Sequence, residues 1–256
     1  MHEIKRIRVG ILVDGEQIPG WVSEIISGIG ALEGVEFCCV VMNDAPTKSV
    51  SSSKFMYRLL RKLDRFLFGK NETLFRRVNL PVPDHVERIR VVPEQKKYTD
   101  RFPDESCQQI RSTSPDVLLR FGFRILKGEI LSLAPYGVLS LHHGDTDKYR
   151  GGPPAFWEVV NREPVTGVTL QCLTDQLDGG KVLNKSFITS DGLSFHRNQV
   201  TAYYAGIALF VQEIQRMLLN GIQTYFQALE TIIQNDFFVY SYPLYKDPRN
   251  YRTVGI

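Results

Sequence analysis

Several features are missing from this chain, and each absence removes a class of protein. No apolar run approaches the about 20 residues that a membrane-spanning helix needs. The opening Met1–Arg8 stretch leads into a strand-like segment without the apolar region of a signal peptide, which predicts a cytoplasmic protein. Cysteine is scarce: Cys38, Cys39, Cys107 and Cys172 include no CxxC pair, so a zinc site lacks its usual ligand spacing and the thiols are expected reduced. The Gly15–Gly20 turn is not a GxGxxG, so no dinucleotide fingerprint is present. A chain-wide excess of one charge is missing too. The net charge is +3, but residues 54–77 hold eight basic residues against Asp64 and Glu72, a local +6 that leaves −3 elsewhere. Basic character this local argues against a general nucleic-acid-binding surface.

What is present reads as an α/β protein. Hydrophobic residues make up 43% of 256, enough for one substantial core. Residues 7–14 and 35–42 are apolar strands around a helix that carries Trp21, Val22, Ile25, Ile26 and Ile29. Further strands are expected at 89–92, 116–120, 137–141, 166–173 and 181–189, and helices at 103–112, 127–133, 154–161 and 194–219. This alternation predicts a doubly wound, mostly parallel sheet. Residues 1–220 are expected to form the main domain, with a basic amphipathic insertion near 54–77. Residues 221–256 lose periodicity but hold eight aromatic rings, which predicts an extension that covers the domain or builds a homodimer contact. On a helical wheel of residues 54–68, Phe55, Met56, Leu59, Leu60, Leu63, Phe66 and Leu67 share one face and five basic residues the opposite one. That pattern fits either an ordinary surface helix or one that meets phosphate or an anionic membrane.

The polar chemistry concentrates in Leu139–Pro154 (LSLHHGDTDKYRGGPP) and Thr174–Gly180 (TDQLDGG). Each follows an apolar strand, and strand ends are where open α/β sheets bind their ligands. His142 reads as a working imidazole or as one satisfied by a backbone carbonyl. Asp178, before two glycines, acts chemically or shapes a turn. His143, Asp145 and Asp147 cap, turn or face solvent; alternatively they recognise an ammonium group or join His142 in a mixed N and O metal site. Arg150 is a candidate anchor for an anionic substrate, and Arg124 plays the same part or a structural one.

From about Pro115 to Ile188 the chain resembles the catalytic core of the folate-dependent formyltransferases. The matching pieces, in order, are Pro115–Leu119, Arg124–Leu126, Ser140-Leu141-His142, Tyr149-Arg150-Gly151, Thr166–Thr169 and Leu177–Gly180. Phe121–Arg124 and Phe156-Trp157 resemble the sugar N-formyltransferase branch most. The family uses an Asn-x-His pair and a distant Asp; the resemblance puts His142 and Asp178 on the latter two and Ser140 on the Asn. A second departure is Gly144–Asp147, where the family carries a Ser-Leu-Leu-Pro-like loop.

The resemblance implies N10-formyltetrahydrofolate as formyl donor, held by Phe123, Arg124, Ile125, Leu126, Asp175 and Gly179. It implies His142, Asp178 and Ser140 as catalytic residues, with no metal. The acceptor would be a small amine, phosphorylated or nucleotide-linked and of amino-sugar type, met by Asp145, Asp147, Arg150 and Gly151. The alternative is the same scaffold with altered or no formyl transfer: a ligand-binding protein, or a formyltetrahydrofolate hydrolase.

Overall fold

The computed structural model of the chain describes residues 6–46, 55–69, 73–175 and 180–234. The first half runs β1 (Ile7–Val13), β2 (Gln17–Pro19), α1 (Gly20–Gly30), β3 (Val35–Asn43), α2 (Phe55–Phe68), β4 (Arg77–Asn79), β5 (Glu87–Val91), β6 (Glu94–Lys96) and β7 (Thr99–Arg101). The second half runs α3 (Asp104–Ser112), β8 (Val117–Arg120), β9 (Ile125–Lys127), β10 (Val138–His142), α4 (Trp157–Val160), β11 (Val165–Cys172), β12 (Lys181–Thr189), α5 (Phe195–Asn220) and α6 (Ile222–Gln234). Seven strands form the main sheet in the order β12-β11-β10-β8-β1-β3-β5. Every pairing from β5 through to β10 is parallel, and β11 and β12 add an antiparallel edge.

The apolar runs that predict strands do so because both faces of this sheet are covered. On β1, Ile7, Val9, Ile11 and Val13 pack towards α1 and α5, while Leu12 joins Cys39, Val41 and Leu118 on the opposite face with Cys107 and Ile110 of α3. Helix α5 begins at Ser194, whose side chain accepts a hydrogen bond from the Arg197 amide at 3.1 Å and so caps the first turn. All four cysteines are free thiols, with Cys39 and Cys107 buried and Cys38 and Cys172 half-buried. No described helix is long and apolar enough to cross a membrane.

Some segments differ from the pattern read in the sequence. The helix expected at 127–133 is the end of β9 followed by a 3-10 turn at Glu129–Ser132, entered through Gly128 at φ +84°. The stretch after 220, expected to be irregular, opens with α6. Its Phe226 ring packs on Tyr136 with centroids 5.0 Å apart, and Tyr225 donates its hydroxyl to Glu213 at 2.7 Å. The other six aromatic residues of that stretch lie outside the described residues, as does most of the 43–53 loop.

Strand order reverses at β1, whose neighbours are β3 on one side and β8 on the other, and the carboxyl ends at such a switch point are where open α/β sheets take their ligands. Asp14, just past β1, ties the three ends together. Its Oδ1 accepts from the Phe123 amide at 2.7 Å and from Asn43 Nδ2 at 3.1 Å. The Phe121 and Gly122 amides both donate to the Leu12 carbonyl, at 2.8 and 3.0 Å. Gly122 allows this approach: a Cβ there would fall 2.5 Å from the Asp14 nitrogen and from the Val13 carbonyl carbon. Gly122→Ala is therefore expected to destabilise the protein by about 1–3 kcal/mol, as overpacking does. The check is a lower urea midpoint at unchanged m-value.

Candidate active site

The site is built outward from β10. Successive side chains of a strand alternate between faces, so Ser140 and His142 share one face and Leu141 and His143 the other. Register places Arg120 of β8 and Gln171 of β11 on either side of Ser140. A polar row thus crosses three strands. Ser140 is buried, and its Oγ accepts from Arg120 Nη1 at 3.2 Å. Arg120 Nη2 donates to the Phe123 and Arg124 carbonyls at 2.9 and 2.8 Å, which fixes the guanidinium. Gln171 Oε1 is buried without a hydrogen-bond partner.

His142 ends the strand half-buried, its Nε2 2.9 Å from the Tyr149 carbonyl. A carbonyl can only accept, so this contact puts the proton on Nε2 and leaves the Nδ1 lone pair for chemistry. The backbone-carbonyl reading and the working-imidazole reading are therefore compatible. His143 turns the other way. Its ring stacks on Tyr203 (centroids 3.8 Å, interplanar angle 12°) and meets Trp21 edge-on at 5.4 Å. Burial pushes the imidazole down to about 3, with a smaller push from His142, so it sits in the core as a neutral ring. The two adjacent histidines face away from each other and cannot share a metal.

The loop after β10 keeps its aspartates for the protein itself. Lys185 of β12 is 1% exposed, and its Nζ lies 2.6 Å from Asp145 Oδ1 and 2.5 Å from Asp147 Oδ2. Burial works against the ammonium, but the hydrogen bonds from both carboxylates outweigh it and hold the group above its ordinary range. Gly167 lets the loop settle on β11, since a Cβ there would come within 2.7 Å of the Asp145 Cβ. The Asp145 carbonyl accepts from the Lys148 and Tyr149 amides at 2.9 and 2.7 Å. Arg150 is exposed, with Nε donating to the Thr146 carbonyl at 3.2 Å, and Gly151 follows in open space at φ +80°.

The other expected positions fall as follows. Arg124 is a structural anchor: its Nη2 lies 2.6 Å from the fully buried Asp100, its own amide donates to Asp100 at 2.7 Å, and Nη1 and Nη2 reach the Lys97 and Thr99 carbonyls. Phe123, at φ +64°, and Leu126 bury their side chains in the core, so with Ile125 this stretch presents mainly backbone. Asp175 is exposed and accepts from Lys127 through its carbonyl. Asp178 and Gly179 lie outside the described residues.

Sequence reading missed three groups. Arg120 closes the apolar Val117–Arg120 strand, and Lys185 interrupts a strand otherwise suited to burial; a charge inside an apolar run was the available signal. Glu158 of α4 is the third. It is buried, its Oε1 has no hydrogen-bond partner, and burial pushes its carboxyl up. A Cβ on Gly144 would lie 2.9 Å from His142 Nε2 and 3.7 Å from Glu158 Oε1, so this glycine lets the imidazole and the buried carboxyl flank one turn.

A strand-end imidazole, a fixed guanidinium and a buried hydroxyl at the crevice of a doubly wound sheet make up a site for polar group transfer. Residues 84–191 match the model of the family described as formyl transferase. Solved structures share the fold. Phosphoribosylglycinamide formyltransferase from Coxiella burnetii is 14% identical, with 84% of this chain and 89% of that chain covered at a TM-score of 0.56. The enzyme of the same name from Campylobacter jejuni gives 14%, 84% and 99% at 0.56. Glycinamide ribonucleotide transformylase 1 from Symbiobacterium toebii gives 14%, 82% and 86% at 0.54.

Two outcomes follow from the buried charges. Lys185→Met leaves the largely buried Asp145 without its cation and is expected to cost about 3 kcal/mol of unfolding free energy. Adding Asp145→Asn should recover most of that loss in urea titrations. His143 has a folded value near 3 against an ordinary 6.5, so the native state binds fewer protons than the unfolded chain between those limits. Its stabilisation is present above about pH 6.5 and is lost as pH falls towards 3, by up to about 1.4 kcal/mol per pH unit. His143→Phe keeps the ring stack and should flatten that part of the pH–stability curve; a profile parallel to wild type would contradict the assignment.

Proposed function

We propose that the protein transfers a formyl group from N10-formyltetrahydrofolate to the amine of a small acceptor, of the phosphorylated or nucleotide-linked amino-sugar type. The observation that carries this reading is the arrangement around β10. Within the family-matched residues, His142 presents a free Nδ1 beside the row Arg120, Ser140 and Gln171. The donor supplies an activated formyl carbon and N10 as the leaving atom. The backbone of 123–126 and the unpartnered Gln171 Oε1 fit a ligand with alternating hydrogen-bond donors and acceptors, such as a pterin.

In the reaction, a bond forms from the acceptor nitrogen to the formyl carbon and the bond from that carbon to N10 breaks. The amine gives up a proton, which ends on N10. His142 Nδ1 takes that proton and passes it on. Negative charge develops on the formyl oxygen, where the Arg120 guanidinium and the Ser140 hydroxyl stabilise it. With Nε2 on the Tyr149 carbonyl and Nδ1 taking the proton, the part that the resemblance implies for Asp178 is to orient a relay water. With Asp145 and Asp147 engaged by Lys185, the acceptor's anionic group falls to Arg150, beside Gly151, where a Cβ would meet nothing within 4 Å. The setting is the cytoplasm, where thiols such as the four cysteines stay reduced.

The test is release of tetrahydrofolate from N10-formyltetrahydrofolate, with and without nucleotide-linked amino sugars. Amine-dependent release is expected, and His142→Ala should lower it by about 10²–10⁴-fold while circular dichroism stays unchanged. Full turnover in His142→Ala would sink the assignment. Release that needs no amine would make the protein a hydrolase instead.

A further inference from the structure

Helix α2 docks on the protein by its polar side. Arg61 donates to Gln199 of α5, Asp64 Oδ2 accepts from the His196 amide at 2.7 Å, and the Phe68 ring lies 5.3 Å below the Arg197 guanidinium. Residues 61, 64 and 68 recur at helical spacing and define the face turned to α5. An ordinary surface helix would turn its leucines there. Here Phe66 is 83% and Leu67 61% exposed, with Leu59, Leu60 and Leu63 about half exposed in the same band. At 3.6 residues per turn these five side chains span an arc of about 120°. Exposed Arg58, Lys62 and Arg65 form a cationic stripe along one edge of that arc. The helix's one carboxylate, Asp64, is turned in towards α5.

We propose that α2 is a docking element for an anionic lipid surface: the outward leucine and phenylalanine band enters the interface, and Arg58, Lys62 and Arg65 meet the headgroups. The charges decide the occupant. A second copy packed along the same band would bring two cationic stripes together, with no exposed carboxylate on either helix to offset them. A nucleic acid would satisfy the stripe but leave the apolar band without a partner. A membrane carrying anionic lipid satisfies both faces, with the long basic side chains reaching headgroup level. The site is remote in sequence from His142 and Ser140 and independent of the formyl-transfer reading.

The experiment is flotation of the full chain with vesicles of phosphatidylcholine alone and of phosphatidylcholine mixed with phosphatidylglycerol, at low and high salt. Wild type is expected to float with the anionic vesicles, to bind the neutral ones weakly and to be released by salt. Two sets of substitutions separate the contributions: Leu63→Ser with Phe66→Ser, and Arg58→Gln with Lys62→Gln and Arg65→Gln. All of these side chains are exposed in the folded protein. Each set should lower partitioning at least about tenfold, the charge set by up to about 100-fold, with circular dichroism and the urea midpoint unchanged. Wild type that stays unbound, or binds both vesicle types equally, would overturn the proposal, as would a Leu63→Ser/Phe66→Ser variant that binds as well as wild type. A dimer that Phe66→Ser dissociates, without lipid binding, would assign the band to a second copy instead.

Discussion

A strand sends successive side chains to opposite faces, and at the carboxyl end of β10 that rule divides the molecule's chemistry. His142 turns towards the row of Arg120, Ser140 and Gln171, where a ligand can reach it. His143, its neighbour in sequence, turns into the stack of Tyr203 and Trp21 and becomes part of the core. One ring is held with a lone pair to offer, the other is kept neutral by burial. A slip of one residue in the pairing of β10 with β8 and β11 would turn His143 to the face of the polar row and His142 to the face under α5. The apolar residues that fix this register, Val138 and Leu139, are fully buried on opposite faces.

The loop that follows shows how charge near the site is spent. Two aspartates beside a crevice invite the reading of an ammonium subsite. A lysine from the antiparallel edge of the sheet claims both, and a buried ion pair of this kind contributes more to defining a loop's shape than to net stability. The Arg124–Asp100 pair does the same for the backbone turn after β8. With these charges bound to one another, the exposed cations of the loop are Lys148, which pairs with Glu163 at 3.2 Å, and Arg150, whose Nε donates to the Thr146 carbonyl. The anionic acceptor proposed above would then meet few side chains, each held by internal contacts.

The fold was legible wherever residues repeat with a period. Apolar runs marked β1, β3 and β10, and the spacing of Val200, Tyr203, Ile207, Phe210 and Ile214 marked α5. Short β2, β4, β6, β7 and β9 carry too few residues for a period to register, and α6 was hidden among aromatic residues that read as irregular cover. The residues facing the crevice were legible through motif, since Ser140-Leu141-His142 and Tyr149-Arg150-Gly151 keep their order and spacing. Their partners were not. Lys185 lies 38 and 40 positions from the aspartates it neutralises, so a charge inside a buried strand could flag it but not name its partners. The wheel of α2 likewise displayed both of its faces, but which one meets the protein is decided by Gln199 and the His196 amide on a distant helix.

Serine in place of asparagine at position 140 can be understood through the same packing. An asparagine there would extend its amide into the space where Arg120 Nη1 approaches at 3.2 Å. The shorter serine accepts from the guanidinium and keeps its own O–H free to donate. Arg120 is anchored by two backbone carbonyls, so it need not reorganise as charge develops, and preorganised donors stabilise an oxyanion most. A full positive charge also interacts more strongly with an oxyanion than an amide dipole does. In the proposed transfer the serine changes the donor rather than removing it, with the Arg120 guanidinium in the part that the resemblance assigns to an amide.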